Sequence, residues 1–189
     1  MARWEPDAPG RLAVAALDLF EERGYEATTV IQIAERAGLT KSTFFRHFPD
    51  KREVLFGGTA LSGQLIDEIV DAPADATPLE ALASAMDTIG REVFTPDRRE
   101  FTARRRAVIA ANPELREREA LKGLRLTAAI SDSLKHRGVP ELTARAAAEL
   151  GALAFELAYD RWTAAVGGDD FGAVARKVLS EVRAATELC

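Results

Sequence analysis

The sequence is poor in the residues that build covalent or metal-held scaffolds. It holds one cysteine, Cys189, the last residue, and two histidines, His47 and His136. A single chain therefore cannot close a disulfide or a cysteine-ligated metal site within itself, and a reducing cytoplasm is the expected compartment. Glu-x-x-His pairs, which hold metals in carboxylate bundles, are missing. So are glycine-rich phosphate cradles and any nucleophile spaced from a base in a way that suggests catalysis. Neither an enzymatic role nor a cofactor is expected. No uninterrupted apolar run approaches the roughly 20 residues of a membrane span. The opening MARWEPDAPGR lacks the apolar stretch of a secretory signal, so no membrane partner is expected. Strand-like alternation is absent too, because the β-branched run Thr28-Thr29-Val30-Ile31 continues into IAERAG with helical spacing.

What remains is apolar enough to fold. Of 189 residues, 47% are hydrophobic and 29% charged, the balance of a soluble globular protein. Gly24, Gly38, Pro49-Asp50, the loop Ala72–Thr77, Asn112-Pro113, Gly138-Val139-Pro140 and Gly167-Gly168-Asp169 separate stretches of helical period. Thr77-Pro78-Leu79-Glu80 combines an N-cap, a first-position proline and a capping-box acid. The sum is an all-α chain of about nine helices.

Residues 11–56 carry the most information. In the first helix Leu12, Ala13, Ala16, Leu17 and Phe20 share a face, and in the second Val30, Ile33, Ala34 and Ala37 do so. Thr29 and Gln32 can form a capping box. Only Gly38-Leu39 separates the second helix from a third that Thr40 can cap and that turns Phe44 and Phe48 inward. Two short helices joined by a tight glycine turn are the signature of a helix-turn-helix, whose second helix enters the major groove. Lys41, Ser42 and Thr43 then occupy the first turn of the recognition helix. There Lys41 could donate to guanine, and the hydroxyls could reach bases or phosphates. Arg46 lies on the exposed side. Thr28 or Thr29 could cap the second helix and also bond a phosphate. Ile31 lies off the apolar stripe, with two readings open: contact with a thymine methyl, or packing beneath the recognition helix or plain exposure.

These residues resemble the tetracycline-repressor (TetR) family of bacterial transcriptional regulators. The resemblance is carried by Phe20, Gly24, Tyr25, Thr28-Thr29-Val30, Ile33-Ala34, Ala37-Gly38, Thr43-Phe44-Phe45, His47-Phe48 and Lys51 followed by Leu55. It implies a DNA-binding domain over residues 9–56 and a ligand-binding and dimerisation domain over 57–189. It also implies phosphate contacts from His47 and Lys51, with a helix-end cap near the core as the other reading of His47. Where the family usually has tyrosine, this chain has Phe45, which cannot donate a hydrogen bond but could pack on the sugar backbone.

Asp50-Lys51-Arg52-Glu53 reads as the capped start of a fourth helix running to about Asp71, with Gly57 and Gly58 inside it as a hinge or as a close packing point. The eighth helix, about Glu141–Val166, is apolar around most of its circumference and must be buried on more than one side. With Phe171, Val174, Val178 and Val182 on the last helix, it suggests a homodimer through the last two helices, the usual family arrangement. Candidate effector-lining residues are Met86, Ile89, Val93, Phe101, Ile109, Phe155, Tyr159 and Trp162, each also suited to ordinary core. Arg105 lies four residues from both Phe101 and Ile109 and could meet an anionic ligand group, form a salt bridge, or cover core with its stem. The segment RRRAVIAANPELRERE resembles a TetR subgroup that binds acyl-CoA-like ligands. The resemblance thus implies a dimeric repressor of palindromic double-stranded operator DNA, released by a small apolar or amphipathic effector. The alternative is an all-α ligand carrier or partner-binding protein that does not use its helix-turn-helix.

The net charge of −5 argues against coating nucleic acid by bulk charge. It is unevenly spread. Between Arg36 and Arg52, Arg36, Lys41, Arg46, Lys51 and Arg52 stand against Asp50 alone, a local net of +4.

Overall fold

The computed structural model describes residues 7–57, 60–165 and 169–186. Among them are nine α-helices and no strand: α1 (Ala8–Arg23), α2 (Val30–Arg36), α3 (Lys41–His47), α4 (Ala60–Asp71), α5 (Pro78–Glu92), α6 (Arg99–Ala111), α7 (Pro113–His136), α8 (Glu141–Ala164) and α9 (Phe171–Thr186). Short 3-10 turns lie at Arg52–Leu55 and Pro96–Arg98. The described residues form two compact units, those within 1–60 and 100–121, and those within 61–99 and 122–189.

In the N-terminal unit, local chemistry sets each helix boundary. The Asp7 carboxylate accepts from the Gly10 N–H and starts α1. Thr29 and Gln32 form the expected capping box on α2, and Thr40 Oγ1 accepts from the Thr43 N–H at the start of α3. Between α2 and α3 the chain turns through Gly38 at φ +66°, a left-handed conformation that costs glycine nothing. Arg11 of α1 donates to the Ala37 carbonyl at that turn. The core gathers Leu12, Leu17, Phe20, Ile33, Phe44, Phe48, Val54 and Leu55.

Three short helices do not complete that core. Val108 and Ile109 of α6 and Leu115 of α7 belong to it, with Phe101 packed at its edge. Phe101 and Ile109, expected among the effector-lining residues, therefore lie in the N-terminal unit, where they add apolar side chains to a small domain. The fourth helix also differs from the expectation of a run from Asp50 to Asp71. Asp50 Oδ1 accepts from the N–H groups of Arg52 (2.8 Å) and Glu53 (3.2 Å), but the helix it starts is a single 3-10 turn. Gly57 then takes φ +64°, which interrupts the helical path, and α4 starts at Ala60. Gly58, the other expected hinge residue, lies outside the described residues, as do Val166 and Cys189.

The second unit is built on α5, α8 and α9. Thr77 and Glu80 cap α5 as expected, the Thr77 N–H donating to Glu80 Oε2 at 2.8 Å. Ala147, Gly151, Ala154 and Ala158 of α8 are buried, and Gly151 faces Leu82 of α5. At the centre, Phe94 stacks on Phe171 at 4.4 Å and meets the edges of Phe155, Tyr159 and Trp162 at 5.7–5.8 Å. Phe171 is thus an interior residue of its own unit rather than an outward-facing contact. Arg137 donates to the carbonyls of Ala72 (2.6 Å) and Pro73 (2.7 Å), closing the end of α4.

Candidate nucleic-acid interface

The expected DNA-contacting residues separate into an outer set and an engaged set. Lys41, Ser42, Phe45, Arg46 and His47 are exposed on α3, as are Thr29 and Ile31 at the start of α2. Neither Lys41 nor Arg46 has an anionic partner among the described residues. The Lys41 ammonium stands 5.9 Å from the Phe45 ring centroid, and Phe45 sits edge-on to the buried Phe44 at 5.5 Å. The ring is held from below and open above. His47, at the end of α3, leans on Phe48 with ring centroids 6.5 Å apart.

Thr28 is a different case. It is buried, and its hydroxyl donates to the carbonyls of Gly24 (2.9 Å) and Leu19 (3.3 Å). Thr29 is the N-cap, so Thr28 fastens the α1–α2 turn instead of reaching phosphate. Thr43 is half-buried, its hydroxyl 3.0 Å from that of Thr40 within the α3 cap. Lys51 is likewise drawn inward. Its ammonium donates to the carbonyls of Tyr25 (2.8 Å) and Thr28 (3.1 Å) and stands 4.0 Å from the Tyr25 ring centroid. Burial, with the Glu114 carboxylate beside it, pushes the Tyr25 phenol well above its ordinary range.

The local charge of +4 shrinks for the same reason. Arg36 pairs with Glu22 at 2.8 Å, and that guanidinium holds the Glu22 carboxyl below its usual value. Arg52 pairs with Asp50 at 3.0 Å. Lys41 and Arg46 remain as the outward cations of the recognition helix.

The geometry shows structural ties that sequence spacing does not reveal. Arg104 donates to Asp18 at 2.6 Å and to Glu21 at 3.1 Å on α1. Arg118 pairs with Glu53, a carboxylate only 5% exposed. Arg105 donates to the Leu55 carbonyl, lies 3.7 Å from Glu119, and places its guanidinium 5.2 Å from the Phe56 ring centroid. Arg105 therefore packs in the N-terminal unit, the salt-bridge and stem-covering reading, because Leu55 and Phe56 offer it an acceptor and a π face. Asp18, Glu21, Glu53 and Leu55 lie 50 to 86 residues from their arginines along the chain, a separation that leaves no periodic trace.

Residues 12–56 match the family described as bacterial regulatory proteins, tetR family. Over this stretch, about a quarter of its length, the chain is similar to the TetR family. Over 75 residues it is 41% identical to the HTH-type transcriptional regulator TcmR of Streptomyces glaucescens, a match covering 39% of this chain and 33% of TcmR. It is 33% identical over 81 residues to the HTH-type transcriptional repressor KstR of Rhodococcus jostii (strain RHA1), covering 43% of this chain and 38% of KstR. The chain thus spans about a third of the length of the curated relatives it matches. Native NalD, the secondary repressor of the MexAB-OprM multidrug efflux pump in Pseudomonas aeruginosa, shares the fold. Its TM-score is 0.59 at 18% identity, covering 94% of this chain and 95% of NalD.

The remaining candidates belong to the second unit. Met86, Ile89, Tyr159 and Trp162 are buried in its core, with Val93 and Phe155 packed against it. The indole Nε1 of Trp162 is buried with no hydrogen-bond partner. Leu150, Leu153, Leu157, Val178, Val182 and Ala185 line a shallow apolar groove between α8 and α9, flanked by the Arg161–Glu181 ion pair. Among the described residues, no group of three or more His, Cys, Asp or Glu could hold a metal, and no helix is long and apolar enough to cross a membrane.

Proposed function

We propose that the protein is a dimeric, DNA-binding transcriptional repressor whose grip on a palindromic operator is released by a small apolar or amphipathic molecule. The observation that carries this reading is a recognition helix whose two cations, Lys41 and Arg46, face outward without anionic partners while neighbouring cations are neutralised or turned inward. A surface that spends few charges suits recognition by placed contacts better than indiscriminate adhesion. Lys41 and Ser42 would reach base edges, and Arg46 and His47 phosphates. Thr29, whose hydroxyl already accepts from Gln32, would contact backbone at the edge of the footprint.

The groove between α8 and α9 supports a homodimer through the last two helices. Its aliphatic lining, including Leu153 at 46% exposed, is an area a second copy would cover, and two-fold pairing would present two recognition helices to two half-sites. The effector would enter the second unit among Met86, Ile89, Val93, Phe155, Tyr159 and Trp162, where an acceptor group would satisfy the Trp162 indole. An acyl-CoA-like ligand is the narrower form of this proposal. Its anionic end would need cations other than Arg104, Arg105 and Arg118, whose guanidiniums are engaged within the N-terminal unit.

Sequencing DNA selected from a random pool by the purified chain tests the reading. Enrichment of a palindrome, lost in Lys41→Ala/Arg46→Ala, is the expected result. A pool that stays random would favour the ligand-carrier alternative. Ligands that release the selected DNA would then identify the effector.

A further inference from the structure

Within residues 7–57, two large apolar side chains are left strongly exposed, Ile31 at 48% and Phe45 at 47%. Both stand on the helix-turn-helix, Ile31 at the second position of α2 and Phe45 in the middle of α3. Most of the other large apolar side chains in this stretch, from Leu12 to Phe56, are gathered into the core or packed against it. With half of its surface in solvent, Ile31 is not buried beneath the recognition helix. An isolated exposed isoleucine is ordinary on a protein surface. An exposed isoleucine and an exposed phenylalanine, both on the helix-turn-helix that also carries Lys41 and Arg46 without anionic partners, are matched to an occupant with anionic and apolar parts. Major-groove DNA is such an occupant. Its phosphates are anionic, and the thymine C5-methyl is the apolar group that a base pair displays there.

We propose that Ile31 is a specificity-determining residue that reads a thymine methyl in each operator half-site, and that Phe45 contributes apolar contact without base preference. The assignment rests on the DNA-binding reading above. The two residues divide the work by chemistry and position. Ile31 is a compact branched aliphatic group that fits around one methyl. Phe45 is a flat ring buttressed by Phe44 and flanked by the Lys41 ammonium, shaped to lie along a deoxyribose edge near a phosphate. Neither side chain can donate to or accept from a base edge, so each contributes by excluding water.

The test uses the full chain and the palindrome it selects. Each thymine of a half-site is replaced in turn by deoxyuridine, which deletes the methyl and leaves base pairing intact. With the wild-type chain, one position per half-site should weaken binding about fourfold, the worth of one buried methyl. In Ile31→Ala that position should become indifferent to the exchange, while Phe45→Ala should keep the sensitivity and bind all sequences more weakly. Ile31 is exposed and alanine favours helix, so Ile31→Ala should fold normally, with an unchanged melting temperature as the control. A wild-type chain that tolerates deoxyuridine everywhere, or an Ile31→Ala chain that keeps the penalty, overturns the assignment but leaves operator binding standing. A chain that selects no sequence at all overturns both.

Discussion

The two units are fastened by different chemistry. The N-terminal unit gathers segments far apart in sequence and ties them with guanidinium groups: Arg104 to Asp18 and Glu21, Arg118 to Glu53, Arg105 to the Leu55 carbonyl. The second unit has guanidinium ties of its own, Arg137 to the Ala72 and Pro73 carbonyls and Arg176 to Asp87, but sets them on a larger apolar core among α5, α8 and α9 around the Phe94 cluster. The contrast follows from size. Short helices such as α2 and α3, with seven residues each, offer little apolar surface, so part of the fastening falls to hydrogen bonds and ion pairs. Long helices with small residues such as Gly151 and Ala154 can approach closely and rely on burial.

Salt and truncation should separate the two. The largest effect is expected for Phe94→Ala, which empties the centre of the aromatic cluster and should cost about 3–5 kcal/mol in urea unfolding, with little dependence on salt. Next is Arg118→Ala, at about 2 kcal/mol, because it takes a charged hydrogen-bond partner from a carboxylate that is 5% exposed. Arg104→Ala should cost about 1 kcal/mol or less, since solvent reaches a third of both Arg104 and Asp18, and its cost should shrink as salt is raised. Equal losses for Arg104→Ala and Arg118→Ala would show that burial does not grade these ties.

A finer comparison lies within the head, between Arg46 and Lys51. Arg46 faces outward, so Arg46→Ala should leave the melting temperature unchanged and flatten the dependence of log K on log salt by about one phosphate contact per head. Lys51 bonds two carbonyls of the α1–α2 turn, so Lys51→Met should cost about 1–2 kcal/mol of stability and alter the salt slope less. Binding titrations across a salt series, paired with thermal melts, measure both. A Lys51→Met chain that melts normally and loses a full unit of slope would restore the phosphate-contacting role implied by the family resemblance.

How much of this was legible in the sequence depended on the range of the interaction. The Thr29–Gln32 and Thr77–Glu80 capping boxes, the Gly38 turn and the inward Phe44 and Phe48 all follow from residues within four positions of one another. Each could be named from spacing. The break at Gly57 could not, since glycine inside a helical pattern signals a packing point, a hinge or a stop equally well. The roles of Arg105 and Lys51 were set by carbonyls 50 and 26 residues away, and no local pattern reports such partners. The effector-lining set failed in part for the same reason: Phe101 and Ile109 share the helical period of a body helix but pack in the head.

The smallest effect tests whether charge matters even at the turn that starts the head's last segment. Asp50 accepts two backbone N–H groups and pairs with Arg52. Burial works to raise its carboxyl, but the Arg52 guanidinium and the Arg52 and Glu53 N–H groups outweigh it and hold the value below the ordinary 3.8. A carboxyl depressed in the folded state stabilises the fold above its unfolded value. That stability is lost as pH falls from about 3.8 through the lower folded value. Solvent reaches 40% of the Asp50 side chain, so the contribution is discounted to a few tenths of a kcal/mol. Asp50→Asn keeps an acceptor for the backbone and removes only the titration. Acid unfolding followed by circular dichroism should therefore show a slightly flatter fall below pH 4 for the variant, with the two chains nearly equal at neutral pH. A variant that loses stability equally at pH 7 and pH 3 would mean that the geometry of the cap, and not its charge, holds this turn.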